Sequence, residues 1–281
     1  MTGGRDMDAE LAARLLEWQV EMGADEAVLD APLDRLSPPP GTTAPSAPAE
    51  RTSPPAAAVS AQPPTPPAAE RASPAVAEQA RRAAECATLE EIRAALDAMK
   101  DFPLRRTATH TVHTDGHPHA RVMLIGEAPG RDEDRLGRPF VGRSGQLLDR
   151  MLAAIGLDRG SEDPEKAVLI SNVIFWRPPG NRKPTEAEAA HCLPWLIRTI
   201  ELVRPEVIVC LGATPAQRLT GRTQGILKLR GNWLEYELGE RRIPLLPTLH
   251  PAYLLRQPVQ KRLAWRDFLS LKLRLAELRD G

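Results

Sequence analysis

Three stretches of the chain place polar and aromatic residues where no apolar pattern requires them. The first, GEAPGRDEDRLGRPFVGRSGQLL (Gly126 to Leu148), opens directly after an apolar run. Glycines at such a point let the backbone approach a ligand closely, although a plain strand-to-helix turn needs the same residues. No Gly-Lys-Ser/Thr follows, so this is not a Walker loop. Phe140 stands among small and polar neighbours. It reads either as a plug into the core or as a stacking platform for a planar ring.

The second stretch, SNVIFWRPPGNRKP (Ser171 to Pro184), sets Asn172 inside an apolar run. A buried amide must find partners. Asn172 therefore either ties down loop backbone or presents a donor and an acceptor to the edge of a base. Asn181 and Arg182 form a further polar cluster downstream. The third stretch, LHPAYLLR (Leu249 to Arg256), restricts the backbone of His250 through the following proline and so fixes where its ring points. Tyr253, Leu254 and Leu255 read as loop residues beside Arg256. Their apolar side chains either wedge into a base stack or pack beneath the last helix.

The elements that must position these stretches alternate between two periods. Apolar runs at Arg121–Ile125, Val168–Ile174 and Val207–Leu211 read as buried strands. Helical spacing appears over Ser144–Ile155, Thr185–Val203, Pro215–Leu219 and Val259 to about Leu278, with a capped helix at Thr88–Ala98. Trp233–Glu237 and Arg242–Leu246 read as a two-stranded piece. This alternation predicts an α/β fold with a parallel sheet covered on both faces. In such sheets ligands sit at the carboxyl ends of the strands, where the three stretches fall.

Charge is unevenly distributed. The formal net charge of the 281 residues is zero, yet residues 1–79 hold 12 acidic and 5 basic side chains, leaving 25 acidic and 32 basic in residues 80–281. The second part is basic enough to seek phosphates. Between Pro38 and Pro74 lie 12 of the 28 prolines, among Ala, Ser and Thr. That composition cannot bury enough surface to offset chain entropy, so 38–79 is expected to be a disordered tether, with the compact domain starting near residue 80. Ahead of it, Leu11, Leu15, Trp18 and Met22 give an amphipathic helix in an acidic segment, 1–37. That segment packs on its own domain, docks on a protein partner or stays disordered. Three cysteines exclude a disulfide framework and point to a reducing compartment. No apolar run is long enough for a membrane span, and the N-terminus has no apolar signal core.

From about Met99 to Leu275 the chain resembles the family 4 uracil-DNA glycosylases. The resemblance lies in GEAPGRDED (Gly126–Asp134), GRPFVGRSGQLLDR (Gly137–Arg150), NVIFWRPPGNRKPT (Asn172–Thr185) and HPAYLLR (His250–Arg256). It implies a three-layer α/β/α sandwich around a four-stranded, mainly parallel sheet. The activity implied is removal of uracil from DNA, leaving an abasic site, by a cytoplasmic, nucleoid-associated bacterial monomer with uracil-containing DNA as its partner. It also assigns roles. Phe140 stacks on the flipped uracil, and Asn172 reads its edge. His250 acts at uracil O2, and the Gly126–Gly130 loop, with Ala128, lines the sugar side. Glu127 and Asn181 hold the attacking water, while Tyr253, Leu254, Leu255 and Arg256 contact DNA and fill the gap. Neither nucleotide cofactor nor divalent metal is called for. A uracil-DNA binding protein with little turnover is the alternative, and a non-catalytic adaptor a third. The first loop carries no basic, His-containing insertion of the kind found in covalently trapping relatives. Gly130 stands where another branch has a thymine-excluding Tyr.

The chain departs from this family at one place. Typical members hold a 4Fe–4S cluster on four cysteines, and the corresponding positions here read Met99, Phe102, Trp176 and Cys192. Such a cluster wants four thiolates. The sequence therefore predicts no cluster, with the vacated site refilled by apolar packing.

Overall fold

The structure, a computed structural model, describes residues 73–280. The amphipathic stretch near Trp18 and the tether up to Ala72 lie outside the described residues. Helix α1 spans Pro74–Glu85, with the Ser73 hydroxyl accepting from the Val76 amide and Pro74 in the first turn. Residues 74–79, read from composition as tether, are thus helical. The reason is tertiary: Gln79 and Ala83 are buried, and the Trp195 indole donates to Gln79 Oε1 at 3.1 Å. Helix α2 (Leu89–Asp97) starts at Thr88, whose hydroxyl accepts from the Glu91 amide, and α3 spans Pro103–Thr107.

Six strands follow: β1 (Thr114–Gly116), β2 (Val122–Gly126), β3 (Val168–Asn172), β4 (Val207–Leu211), β5 (Leu234–Leu238) and β6 (Arg241–Thr248). They form one sheet in the order β1-β3-β2-β4-β6-β5. The inner four, β3-β2-β4-β6, are parallel, and β1 and β5 join antiparallel at the edges. The four-stranded sheet that the resemblance implied is therefore the centre of a six-stranded one. β1 has three residues, too few to show a pattern in the sequence.

Helices α4 (Arg131–Leu136) and α5 (Arg143–Ala153) follow β2, and α6 (Glu186–Val203) follows β3. Helices α7 (Ala213–Thr220) and α8 (Ile226–Leu229) follow β4, and α9 (Pro251–Arg256) and α10 (Lys261–Asp280) follow β6. Strands β2, β3 and β4 are buried at every position, as expected of parallel strands covered on both sides. Their alternation sorts the two faces. Met123 and Ile125 pack with Ile92, Leu96, Trp195 and Ile200, whereas Val122 and Leu124 pack with Leu148, Leu152, Phe268 and Leu271. Burying one such side chain contributes roughly 1.5–3 kcal/mol, and both layers are built this way.

One reading changes here. The stretch after β6 is the helix α9 rather than a loop, because His-Pro serves as its N-cap and first residue. The His250 ring accepts from the Ala252 amide at 3.1 Å.

Candidate active site

A cleft of about 710 Å³ opens at the carboxyl ends of the four parallel strands. All three motif stretches line it. So do two segments that sequence reasoning passed over, Leu211–Thr214 after β4 and Ile226–Leu227 in α8.

The floor comes from register. β2 and β3 pair so that Gly126 lies beside Asn172. A Cβ on Gly126 would sit 2.4 Å from Asn172 Oδ1 and 2.6 Å from the Phe140 ring. Only a glycine lets the amide and the ring converge there. Asn172 is buried, and among the described residues its Oδ1 has no hydrogen-bond partner. An unsatisfied buried acceptor costs roughly 1–3 kcal/mol, so it is a place where a ligand's N–H gains most.

Phe140 is held in a conformation that L-residues rarely adopt, with φ +53. The surroundings enforce it. The buried Glu133 carboxylate accepts from the Val141 and Gly142 amides at 3.0 and 2.9 Å, and from the Gly130 amide at 3.1 Å. Arg159 donates to the Pro139 carbonyl at 2.9 Å. A Cβ on Gly145 would lie 1.8 Å from the Phe140 carbonyl oxygen, so α5 passes directly behind the loop. Glu133 thus ties Gly130 to the Val141–Gly142 backbone that follows Phe140. In the sequence it is one charge in the run Arg131–Arg135 and nothing distinguishes it.

The His250 ring lies 5.4 Å from that of Phe140, tilted by 32°. Burial, aided by the Arg256 charge, pushes its pKa down to about 4. With Nδ1 accepting from the Ala252 amide, the neutral ring carries its proton on Nε2 and is a donor there.

Glu127 sits at the mouth of the first loop, its backbone carbonyl accepting from the Ile174 amide at 3.0 Å. Its carboxylate accepts from the Thr214 hydroxyl at 2.5 Å. Asn181 also lines the cleft at φ +54, its Oδ1 accepting from Arg177 Nε at 2.7 Å. Ala128, Tyr253 and Arg256 line the same space. Leu254 does not. It is fully buried among Leu147, Leu249 and Ala264, so it packs beneath the last helix and does not fill the gap in a base stack as the resemblance implied. A helix turns its fourth residue inward, and that face belongs to the core. Leu255 is partly buried. Among the described residues, the large apolar side chain both exposed and on the cleft lining is Leu227, at 62% exposure.

The positions that the resemblance assigns to a cluster form an apolar corner. Met99, Trp176 and Cys192 are buried in one core, with Phe102 packed against it. The Phe102 ring lies 5.2 Å from that of Trp176 and stacks at 4.2 Å on His191. The Trp176 indole donates to the Thr111 hydroxyl, and burial pushes the Cys192 thiol up to about 12. These residues do not fit an iron–sulfur cluster: three offer no thiolate, and their side chains fill the space. Among the described residues no group of His, Cys, Asp and Glu is placed to hold a metal ion, and no helix is long and apolar enough to cross a membrane.

A parallel sheet with a strand-end cleft, furnished with an aromatic face, a buried amide edge and a neutral imidazole, has the build of an α/β enzyme. Residues 113–270 match the Uracil DNA glycosylase superfamily, and the chain belongs to that superfamily. It is 44% identical over 155 residues to a type-4 uracil-DNA glycosylase of Thermotoga maritima, covering 55% of this chain and 76% of that protein. It is 36% identical over 190 residues to a type-4 uracil-DNA glycosylase of Sulfurisphaera tokodaii, covering 66% and 84%. The type-4 uracil-DNA glycosylase of Archaeoglobus fulgidus is 38% identical over 188 residues, covering 66% and 92%.

Proposed function

We propose that this protein is a DNA-repair glycosylase that hydrolyses the N-glycosidic bond of uracil in DNA and leaves an abasic site. The observation that carries the reading is the unpartnered, buried Asn172 Oδ1 beside the Phe140 ring and the His250 donor. Asn172 accepts from uracil N3–H and donates to O4. Cytosine, with an acceptor at N3 and a donor at N4, presents the opposite pattern.

A base inside a duplex cannot be reached, so the nucleotide is extruded at a cost of roughly a few kcal/mol. Contacts to the DNA offset that cost. Arg182, Lys183, Tyr253 and Arg256 lie on the cleft lining and face the strand. Leu227 and Leu255 supply apolar surface for the gap in the stack. Phe140 then stacks on the extruded ring.

As the C1′–N1 bond breaks, its electron pair leaves with uracil and positive charge grows on the sugar. His250 donates from Nε2 to O2, where negative charge develops, without any proton having to be taken up first. Glu127 and Asn181 hold a water. The water oxygen adds to C1′, and its proton passes to the Glu127 carboxylate. No step runs through an iron–sulfur cluster, and the fold stands without one because Met99, Phe102 and Trp176 fill that corner. Iron and acid-labile sulfide assays on anaerobically purified protein are expected to find neither; stoichiometric iron would overturn this.

The catalytic domain starts at Pro74, where α1 packs on α6, and the acidic, amphipathic stretch within residues 1–37 is the docking segment for a protein partner. Three free, buried cysteines suit a reducing cytoplasm. One gel tests the activity. A uracil-containing oligonucleotide treated with the protein and then alkali is expected to break at the uracil. Retained, shifted but unbroken DNA would instead mark a uracil-DNA binding protein.

A further inference from the structure

We propose that Thr214 is a positioning residue for the hydrolytic step, aiming the Glu127 carboxylate at the water it holds. The inference rests on Glu127 having that role.

Thr214 reaches Glu127 because of how the chain leaves β4. Gly212, at φ +106, turns the strand into α7 and carries a backbone bond from its amide to the Thr248 carbonyl at 2.9 Å. A Cβ at Gly212 would touch the His250 side chain at 3.5 Å. This turn therefore packs on the His250 side of the cleft while Thr214, two residues on, reaches across to the Glu127 side.

The hydroxyl has little competition for its proton. Threonines deeper in helices donate to the carbonyl four residues back, as Thr220 does to Ala216 at 2.6 Å and Thr199 to Trp195 at 2.8 Å. Thr214 is the second residue of α7, so the residue four back, Cys210, belongs to strand β4. Its donor goes to Glu127 Oε2 instead, at 2.5 Å. Among the described residues this is the hydrogen bond made by the Glu127 carboxylate. One oxygen is thereby fixed and the other left for water. Glu carries three rotatable side-chain bonds, and without the hydroxyl its carboxylate samples many directions. Thr is branched at Cβ and has restricted χ1, so its hydroxyl is a stiff anchor.

A misplaced water-holding group slows a reaction that depends on geometry by up to ~100-fold. Thr214→Val keeps the shape and branching and removes the donor. It is expected to lower the single-turnover cleavage rate ~10- to 100-fold while leaving unchanged the affinity for a duplex whose uridine carries a cleavage-resistant 2′-fluorine. Thr214→Ser is expected to restore most of the rate. In a Glu127→Ala background, Thr214→Val is expected to cost nothing further. An equal loss in both backgrounds, or Thr214→Ser as slow as Thr214→Val, would overturn the proposal. A wild-type rate in Thr214→Val with a slow Glu127→Ala overturns it while sparing the role of Glu127. A wild-type rate in Glu127→Ala removes both.

Discussion

Two corners of this molecule are furnished in opposite ways. In the strand-end cleft, Asn172 keeps a buried acceptor without a partner among the described residues, Phe140 holds a left-handed backbone, and the half-buried His250 is neutral. Each of these costs stability. At the Met99–Cys192 corner the reverse holds. Aromatic rings pack at 4.2 and 5.2 Å, the Trp176 indole is satisfied by Thr111, and the remaining cysteine is an inert buried thiol. A site kept for a ligand leaves groups unsatisfied, whereas a site given over to structure closes them.

The contrast is broken most directly at Trp176. Trp176→Ala removes a fully buried ring and strands the Thr111 hydroxyl, so unfolding free energy is expected to fall by about 3–5 kcal/mol. The cleavage rate of the folded fraction should not change. A catalytic loss without a stability loss in urea titrations would show that this corner serves the reaction. His250→Ala, on the other side, is expected to slow cleavage by ~10²–10³. Its denaturation midpoint should move little, and an unchanged rate would remove His250 from the mechanism.

Two histidines with lowered pKa values share a pH signature. Besides His250, His113 is buried against Thr199, its Nε2 2.9 Å from the hydroxyl oxygen, and burial pushes its pKa from 6.5 down to about 3. Below pH 6.5 the unfolded chain takes up a proton that the folded chain refuses. Stability should therefore fall between pH 6.5 and 3, by at most ~1.4 kcal/mol per pH unit for each histidine. Urea unfolding at pH 7, 6 and 5 should show a shallower slope in His113→Gln. An unaltered slope would mean that His113 titrates normally in the fold. The smallest effect is expected at the cleft rim. Leu227→Ala should slow cleavage of duplex DNA by roughly threefold to tenfold, about the worth of one buried methylene or a little more. A single strand, with no stack to refill, should be spared. Equal losses on both would place Leu227 in the pocket rather than in the gap.

How far the site could be read from residue order depends on whether each residue breaks a local pattern. Phe140 is an aromatic ring outside any apolar period, and Asn172 an amide inside a strand, so both stand out. Glu133 does not, because it is a carboxylate among charges, and only the fold shows it capping three amides across the loop. Thr214 is an ordinary threonine until β4 and β2 bring it against Glu127. The helix that carries Leu254 reads as a loop in the sequence for a related reason. The stretch HPAYLLR is too short to declare a period, and the helix it forms turns Leu254 inward.

The order of residues determined the alternation of strands and helices, the two burial faces of the inner strands, and the three stretches at their carboxyl ends. These follow from periodicity and from glycine and proline chemistry, which act over a few neighbours. That Met99, Phe102 and Trp176 offer no thiolate was likewise visible as residue identity. What only the tertiary structure decided are long-range matters. They include the register that sets Gly126 beside Asn172, the burial that keeps His250 neutral, and the packing of α1 on α6 that turns residues 74–79 from tether into helix. Contacts across tens of residues depend on where elements meet, and no local pattern encodes that.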